Sequence, residues 1–279
     1  MMCAVPWPLP SQAVAMCSAA ATALPWARST TTSWPCWMNS FAGATTEAQG
    51  ERSGVDMPGR VERLVLGFVN AYALETPDGW LLVDTGTPGS GPRIERFLAR
   101  LGVAIGDLRG ILITHSDYDH IGSLSWLYQH GATCLYAHEA ELPLVAGRAR
   151  PAPALKAAVS RLVAHPPAHA IRPLQDGDNV FGVRVLHTPG HTVGHACYLY
   201  ERYAFLGDLL WNVWALAELP RPMMLDRTMA RHSIERMASV GFEVGLPGHG
   251  RPFQCDRTQL CRLADSWARS RPLAVARPG

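Results

Sequence analysis

The chain has 279 residues, 48% hydrophobic and 17% charged, long enough for one large domain or two small ones and apolar enough to build a full core. A net charge of +2, with Lys156 the single lysine and no dense basic run, argues against a polyanion surface and hence a nucleic-acid partner. No stretch reaches the roughly 20 apolar residues that span a bilayer, so no membrane partner is expected.

Residues 1–56 differ from the rest of the chain. Arg28 is the single charge before Glu47, and Trp7, Trp26, Trp34 and Trp37 lie among Pro, Ser, Thr and Ala with no periodicity. They are expected to be a disordered or non-native extension, with one domain over 57–279, Met57 marking an ordinary domain start. The Ala-rich stretch 12–27 lacks a basic flank and is not expected to act as a signal peptide. The seven cysteines (Cys3, Cys17, Cys36, Cys134, Cys197, Cys255, Cys261) fit no CxxC site and no disulfide framework, so a reducing, cytoplasmic location is expected.

From Val61 the pattern becomes regular. Val61–Gly67, Asn70–Glu75 and Trp80–Asp84 predict three strands, the last two joined by a Pro77-Asp78-Gly79 turn. Ile94, Phe97, Leu98 and Leu101 share one face of a helix. Gly110–Thr114 predicts a short buried strand, with helices at about 120–129, 137–147 and 153–164. Strands follow at Val183–His187, His195–Tyr200 and Tyr203–Gly207. Asp226 caps a helix whose Ala230, Ile234 and Met237 share a face. Phe242–Leu246 predicts a last strand and 256–269 a last helix. Groups of strands, each followed by helices, imply an α+β chain of two sheets packed face to face with helices outside, an αββα sandwich.

The strongest chemical signal is ILITHSDYDHIGS at 111–123, where an apolar strand runs directly into His115, Asp117, Asp119 and His120. Alternate side chains of an extended segment share a side, so His115, Asp117 and Asp119 can converge while His120 turns to a second centre. Imidazole and carboxylate both ligate divalent metals. HTPGHTVGH at 187–195 presents His191 after a Pro-Gly turn, FLGD at 205–208 delivers Asp208, and LPGHG at 246–250 delivers His249. His187 reads equally well as a plain strand residue. Asp84, in VDTG, and His195 are expected to hydrogen-bond the ligands rather than to bind metal themselves.

Taken in order, these elements resemble the metallo-β-lactamase fold superfamily, whose pattern is HxHxDH, His, a bridging Asp and His. The resemblance covers residues 61–255. It implies that His115, Asp117 and His191 hold one metal, that Asp119, His120 and His249 hold a second, and that Asp208 bridges them. The fold it implies is a four-layer sandwich of two mixed sheets flanked by helices. The cofactor it implies is a pair of divalent ions, zinc in the first instance, with Mn²⁺ or Fe²⁺ as alternatives. One position departs from the pattern: Asp117 stands where the family has His. Three carboxylates and one hydroxide then balance two divalent ions to neutrality, which favours harder metals and acidifies bound water less.

The expected activity is hydrolysis of an ester, lactone, thioester or related bond of a small molecule. A metal-bridging hydroxide would attack, and Asp119 would orient it and pass its proton to the leaving group. Tyr118 and Trp211 are candidates for the substrate pocket, with Trp126 and Trp214 as further apolar surface. The alternative is iron-dependent redox chemistry on the same fold, as in persulfide dioxygenases or flavodiiron-like enzymes; Asp117 speaks for it slightly, and the lack of a flavin-binding domain against the flavodiiron form. The short segment after His249 points away from a helical substrate domain of the glyoxalase II kind. The sequence sets no oligomeric state.

Overall fold

The computed structural model describes residues 61–150 and 163–255, with Ser160, Arg161, Leu260 and Leu263. The expected extension at 1–56 and the helices read at 153–164 and 256–269 lie outside the described residues, apart from those isolated positions. Six strands form the first sheet: β1 (Val61–Leu66), β2 (Val69–Thr76), β3 (Gly79–Val83), β4 (Gly110–Ile113), β5 (Leu135–His138) and β6 (Ile171–Leu174). Its first three strands are antiparallel and its last three join in parallel. The second sheet contains β7 (Asn179–Val180), β8 (Val183–His187), β9 (Ala196–Tyr200) and β10 (Tyr203–Gly207). A small ribbon of β11 (Trp211–Asn212) and β12 (Leu216–Ala217) intervenes before β13 (Val244–Pro247) and β14 (Phe253–Gln254) complete that sheet beside β10.

Period-two alternation builds the layers. In β4, Ile111 and Ile113 enter a core shared with α1 (Gly91–Arg100), while Leu112 lies on the other face. The outer core also takes Leu124 and Leu127 of α3 (Leu124–Gln129) and Val145 of α4 (Leu142–Val145), α2 (Tyr118–Ile121) lying between α1 and α3 in the chain. In β10, Ala204 and Leu206 pack on Ile234 and Met237 of α5 (Arg227–Val240). Tyr203 and Phe205 point the other way, and Phe205 meets Tyr72 of the first sheet edge to face at 5.6 Å. Strands so buried on both faces explain their almost unbroken apolar runs.

Polar bonds cross the same interface near one end. Tyr198 Oη donates to Ile113 O at 2.6 Å and Tyr72 Oη to Pro247 O at 2.8 Å. That end is where β4, β10 and β13 terminate, so the residues following all three strands meet there.

Several sequence expectations are corrected. The helix read over 137–147 starts later: β5 occupies Leu135–His138, paired in parallel with β4 and β6, and α4 begins at Leu142. The four-residue strand LYAH is too short to declare its period, and its sheet partners lie far away in sequence. The helix at about 120–129 is two helices, α2 and α3, separated by Gly122 and Ser123. The last strand is β14 rather than β13, a two-residue pairing that carries no pattern of its own. Strands β6, β7, β11 and β12 are likewise too short to show a period in the sequence.

Helix α5 is docked on the loop that carries His191. Asp226 caps it, Oδ1 accepting from Met229 N at 3.0 Å. The backbone N–H groups of Leu225 and Asp226 donate to the carbonyls of His191 and Gly190. Gly190 has φ of +132°, and a Cβ there would sit 2.2 Å from Ala230 N. Both the turn and the helix contact therefore require glycine. Gly190→Ala is expected to destabilise the fold by about 2 kcal/mol or more through strain and overpacking, and to weaken metal retention by moving His191; thermal melting with metal analysis checks both.

Candidate metal centre

Strand β4 ends at Ile113, and Thr114 and His115 follow it into the space between the sheets. Asp117 remains extended as the residue preceding α2, whereas Asp119 and His120 already lie on that helix. The continuous extended segment that would aim three side chains one way thus stops at Asp117. His115 and Asp117 face one centre, Nε2 to Oδ2 at 3.7 Å, and His191 Nε2 joins them 3.0 Å from the same oxygen. Asp119 and His120 face a second centre with His249, whose Nε2 lies 3.4 Å from Asp119 Oδ2. Asp208, at the end of β10, stands between them. Its Oδ2 lies 3.7 Å from His191 Nε2, and its Oδ1 lies 3.3 Å from both His120 Nε2 and His249 Nε2.

Three residue sets therefore bring ligand atoms within 4.8 Å of one another: His115 with Asp117 and His191, His115 with His120 and Asp208, and Asp119 with His120 and His249. Nε2 of His115, Nε2 of His120 and Oδ1 of Asp208 are buried and make no hydrogen bond. Buried polar atoms are rarely left that way, and a convergent set of imidazoles and carboxylates suits divalent cations.

Outer hydrogen bonds fix which imidazole nitrogen faces inward. His249 Nδ1 donates to Phe68 O at 2.9 Å, since a carbonyl only accepts. His120 Nδ1 donates to the Asp84 carboxylate at 2.8 Å. Thr114 spends its hydroxyl proton on Asp84 Oδ2 at 2.8 Å, so its oxygen accepts from His115 Nδ1 at 3.0 Å. In all three rings Nε2 is then the nitrogen turned to the centre, available to a cation that displaces any proton it carries. His195 acts differently: its Nε2 accepts from the backbone N–H of Asp208 at 3.1 Å, and its Nδ1 donates to Thr188 Oγ1 at 2.9 Å. It holds Asp208 rather than facing the centre. His187 is a strand residue whose ring bonds Val193 O.

The electrostatics match a site built for positive charge. Burial raises the Asp208 carboxyl, but His249 and His120 hold it well below the usual carboxylate range. Burial likewise raises Asp117, and His115 and His191 hold it well below that range. Burial would lower His249, yet Asp208 and then Asp119 raise it to about 10. His195 is kept neutral, pushed well below its ordinary value by burial and by His115 and His191.

One residue in this frame carried no sequence signal. Glu141 is fully buried, and its two oxygens clamp two loops. Oε1 accepts from Ser116 N at 2.8 Å and Ser116 Oγ at 2.6 Å, between His115 and Asp117. Oε2 accepts from Thr192 Oγ1 at 3.0 Å and Gly194 N at 2.8 Å, just past His191. Its partners stand 25 to 53 residues away, so no local motif announces it.

A cleft of about 700 Å³ opens over the centre. Tyr118 and Trp211 line it, as do Trp214, Phe68, Val65, Val213 and Met223. The Trp211 ring is tilted against His249 with centroids 4.8 Å apart, and Phe68 stacks parallel to the same imidazole at 5.7 Å. Trp126 is not part of it; it packs against Gly91 and stacks on His130.

Residues 64–249 match the family model of the metallo-beta-lactamase superfamily. The chain belongs to that superfamily. Among its relatives is the probable metallo-hydrolase YflN of Bacillus subtilis, 28% identical over 77% of this chain and 94% of the relative. A hydroxyacylglutathione hydrolase of Photobacterium profundum is 36% identical over 38% of this chain, which spans about a third of that relative's length, 34%. Among solved structures, the protein TTHA1623 in a di-iron-bound form superposes with a TM-score of 0.55 at 30% identity, covering 69% of this chain and 93% of that one. Among the described residues, no helix is long and apolar enough to cross a membrane.

The Glu141 clamp yields a prediction. Glu141→Ala leaves buried donors at Ser116, Thr192 and Gly194 without an acceptor, which is expected to cost about 3 kcal/mol or more. Because both loops of the first centre lose their tie, metal content is expected to fall at the His115–Asp117–His191 set before the other; unfolding titrations and metal analysis measure the two effects.

Proposed function

We propose that this superfamily member cleaves an ester, lactone, thioester or related acyl bond of a small molecule, using a pair of divalent ions held by His115, Asp117, His191, Asp119, His120 and His249, with Asp208 shared. Superfamily membership and relatives named metallo-hydrolases make it a metal-dependent hydrolase; the bond and the substrate are the proposal. The observation that carries it is Asp208, whose two oxygens face separate clusters of ligand atoms. The divalent ions that these residues would hold would supply Lewis acidity, polarising a carbonyl and making a water easier to deprotonate.

The chain's own groups do the rest. Asp119 stays ionised because His249 and His120 outweigh the effect of burial. Its carboxylate borders the cleft, where it can orient the attacking water, take its proton and deliver it to the leaving atom. Trp211 and Phe68, both packed against His249, exclude water and cover the apolar part of an acyl group. Tyr118 lies at the cleft beside Asp117 and Asp119, within the region a substrate carbonyl must enter. A cytoplasmic location and a small-molecule partner complete the reading.

Zinc suits this donor set, and the di-iron form of a solved relative keeps iron as the alternative, with redox chemistry as the second reading. A screen of protein reconstituted with Zn²⁺, Mn²⁺ or Fe²⁺ against lactone, thioester and phosphodiester panels, with oxygen uptake followed in parallel, separates the two. Acyl hydrolysis without oxygen uptake is expected, and His120→Ala is expected to remove close to one metal per chain and abolish turnover. Oxygen consumption coupled to product formation overturns the proposal.

Asp117 tunes the first centre. Asp117→His removes one negative charge, so the ionised form of the attacking water is favoured and the acidic limb of the pH–rate profile is expected to move to lower pH. Zinc retention is expected to tighten, since imidazole suits zinc better than it suits Mn²⁺. Asp117→Ala, prepared under the same metal-loading protocol, is expected to lose metal instead; an unchanged metal content and pH profile in both variants would remove Asp117 from the centre.

A further inference from the structure

Strand β1 turns Arg63 and Val65 toward the cleft and Leu64 and Leu66 into the core. An arginine in that row stands out, because the wall around it is apolar. The three carboxylates bordering the cleft, Asp117, Asp119 and Asp208, are all engaged with the histidines of the metal centre. Among the described residues, none places a carboxylate within ion-pairing distance of Arg63.

The guanidinium is held rather than loose. Its Nε donates to Asn70 Oδ1 and one terminal nitrogen, Nη2, donates to Gly250 O, both at 2.9 Å. Asn70 is itself fixed, its Nδ2 donating to Pro247 O and Gly250 O at 2.9 Å. Gly250 adjoins His249, so this pinned cation lies one residue from the second centre. Both acceptors are neutral. Burial and the neighbouring Arg251 lower the Arg63 pKa, Tyr72 opposing, but a guanidinium stays charged at neutral pH. A guanidinium has five N–H donors and two are used, which leaves three, both on Nη1 and one on Nη2, so the two terminal nitrogens can still fork onto an acceptor. That fork matches a carboxylate in bidentate geometry.

We infer that Arg63 is a recognition point for a carboxylate of the substrate, set apart from the scissile acyl bond by an apolar segment that lies along Val65, Phe68 and Trp211. The inference rests on the acyl-hydrolase reading for the bond that is cut, not for the binding of the anion. A partly buried cation without a counter-ion is costly until a ligand supplies one, and the apolar wall both raises that cost and strengthens the pairing once formed. The substrate is thus an amphiphile with an anionic terminus.

Two arms test this on metal-loaded protein. Calorimetry compares 1-octanesulfonate, an oxyanion that ligates metals weakly, with 1-octanol; neither has a bond to cut. Wild type is expected to prefer the sulfonate by roughly tenfold, Arg63→Met to lose that preference while still binding octanol, and Arg63→Lys, which keeps charge but not the fork, to retain part of it. The kinetic arm compares 4-nitrophenyl hexanoate with the 4-nitrophenyl monoester of adipic acid, which adds a terminal carboxylate. Arg63→Met is expected to raise KM for the adipate ester roughly tenfold with kcat kept, and to leave the hexanoate ester unchanged. Equal affinity of wild type for the two octyl probes overturns the inference without any variant having to fold, and so does an unchanged preference in Arg63→Met. A sulfonate preference lost in Arg63→Met, with no acyl substrate cleaved by wild type, leaves the recognition point standing and removes the acyl-bond reading.

Discussion

The site depends on one constraint: four imidazoles and three carboxylates must stay buried within a few ångströms of each other without pairing off in the wrong way. Asp84 is the residue that meets it most directly. Its φ of +60° is a left-handed conformation that costs an ordinary residue roughly 1–2 kcal/mol, and four hydrogen bonds hold it there. Its backbone N–H donates to Leu112 O, Oδ1 accepts from Thr114 N, and Oδ2 accepts from both Thr114 Oγ1 and His120 Nδ1. One carboxylate thereby ties β3 to β4 and orients His120 directly and His115 through Thr114. The strain is local, and what it secures is the tautomer of two rings.

The same device recurs around the cluster with different chemistry. A backbone carbonyl fixes His249, a histidine fixes the Asp208 backbone, and a glutamate fixes the loops on either side of the first centre. Each outer group comes from a different part of the chain: Phe68 and Glu141 follow the ends of β1 and β5, and His195 directly precedes β9. The sandwich brings those strand ends together, and its cross-sheet bonds, Tyr198 to Ile113 and Tyr72 to Pro247, are made close to them.

Much of this was legible in the sequence. The strands preceding His115, Asp208 and His249 were long or apolar enough to read, and the turn glycines beside them marked where a side chain would be presented. The histidines and aspartates of the cluster stand in short motifs whose spacing survives translation into three dimensions. What could not be read shares one property: it is defined by partners distant in the chain. Strand β5 is four residues of LYAH given meaning by β4 and β6. Glu141 looks like any glutamate beside a helix until Ser116 and Gly194 arrive around it. The turn of Asp119 to the second centre escaped the alternation argument, though not the family resemblance, because the extended geometry assumed past Asp117 gives way to α2 one residue later.

The bond between His249 and Phe68 is made by the main chain of residue 68, not by its side chain. Any residue with a carbonyl can hold that imidazole, while the side chain at 68 stands half in solvent, at 57% exposure, on the rim of the cleft. The hydrogen bond that orients His249 and the composition of the cleft wall are therefore set by different atoms of a single residue. Exchanging the residue at 68 alters the cleft wall and removes the ring stacked on His249, but leaves in place the carbonyl that accepts from its Nδ1.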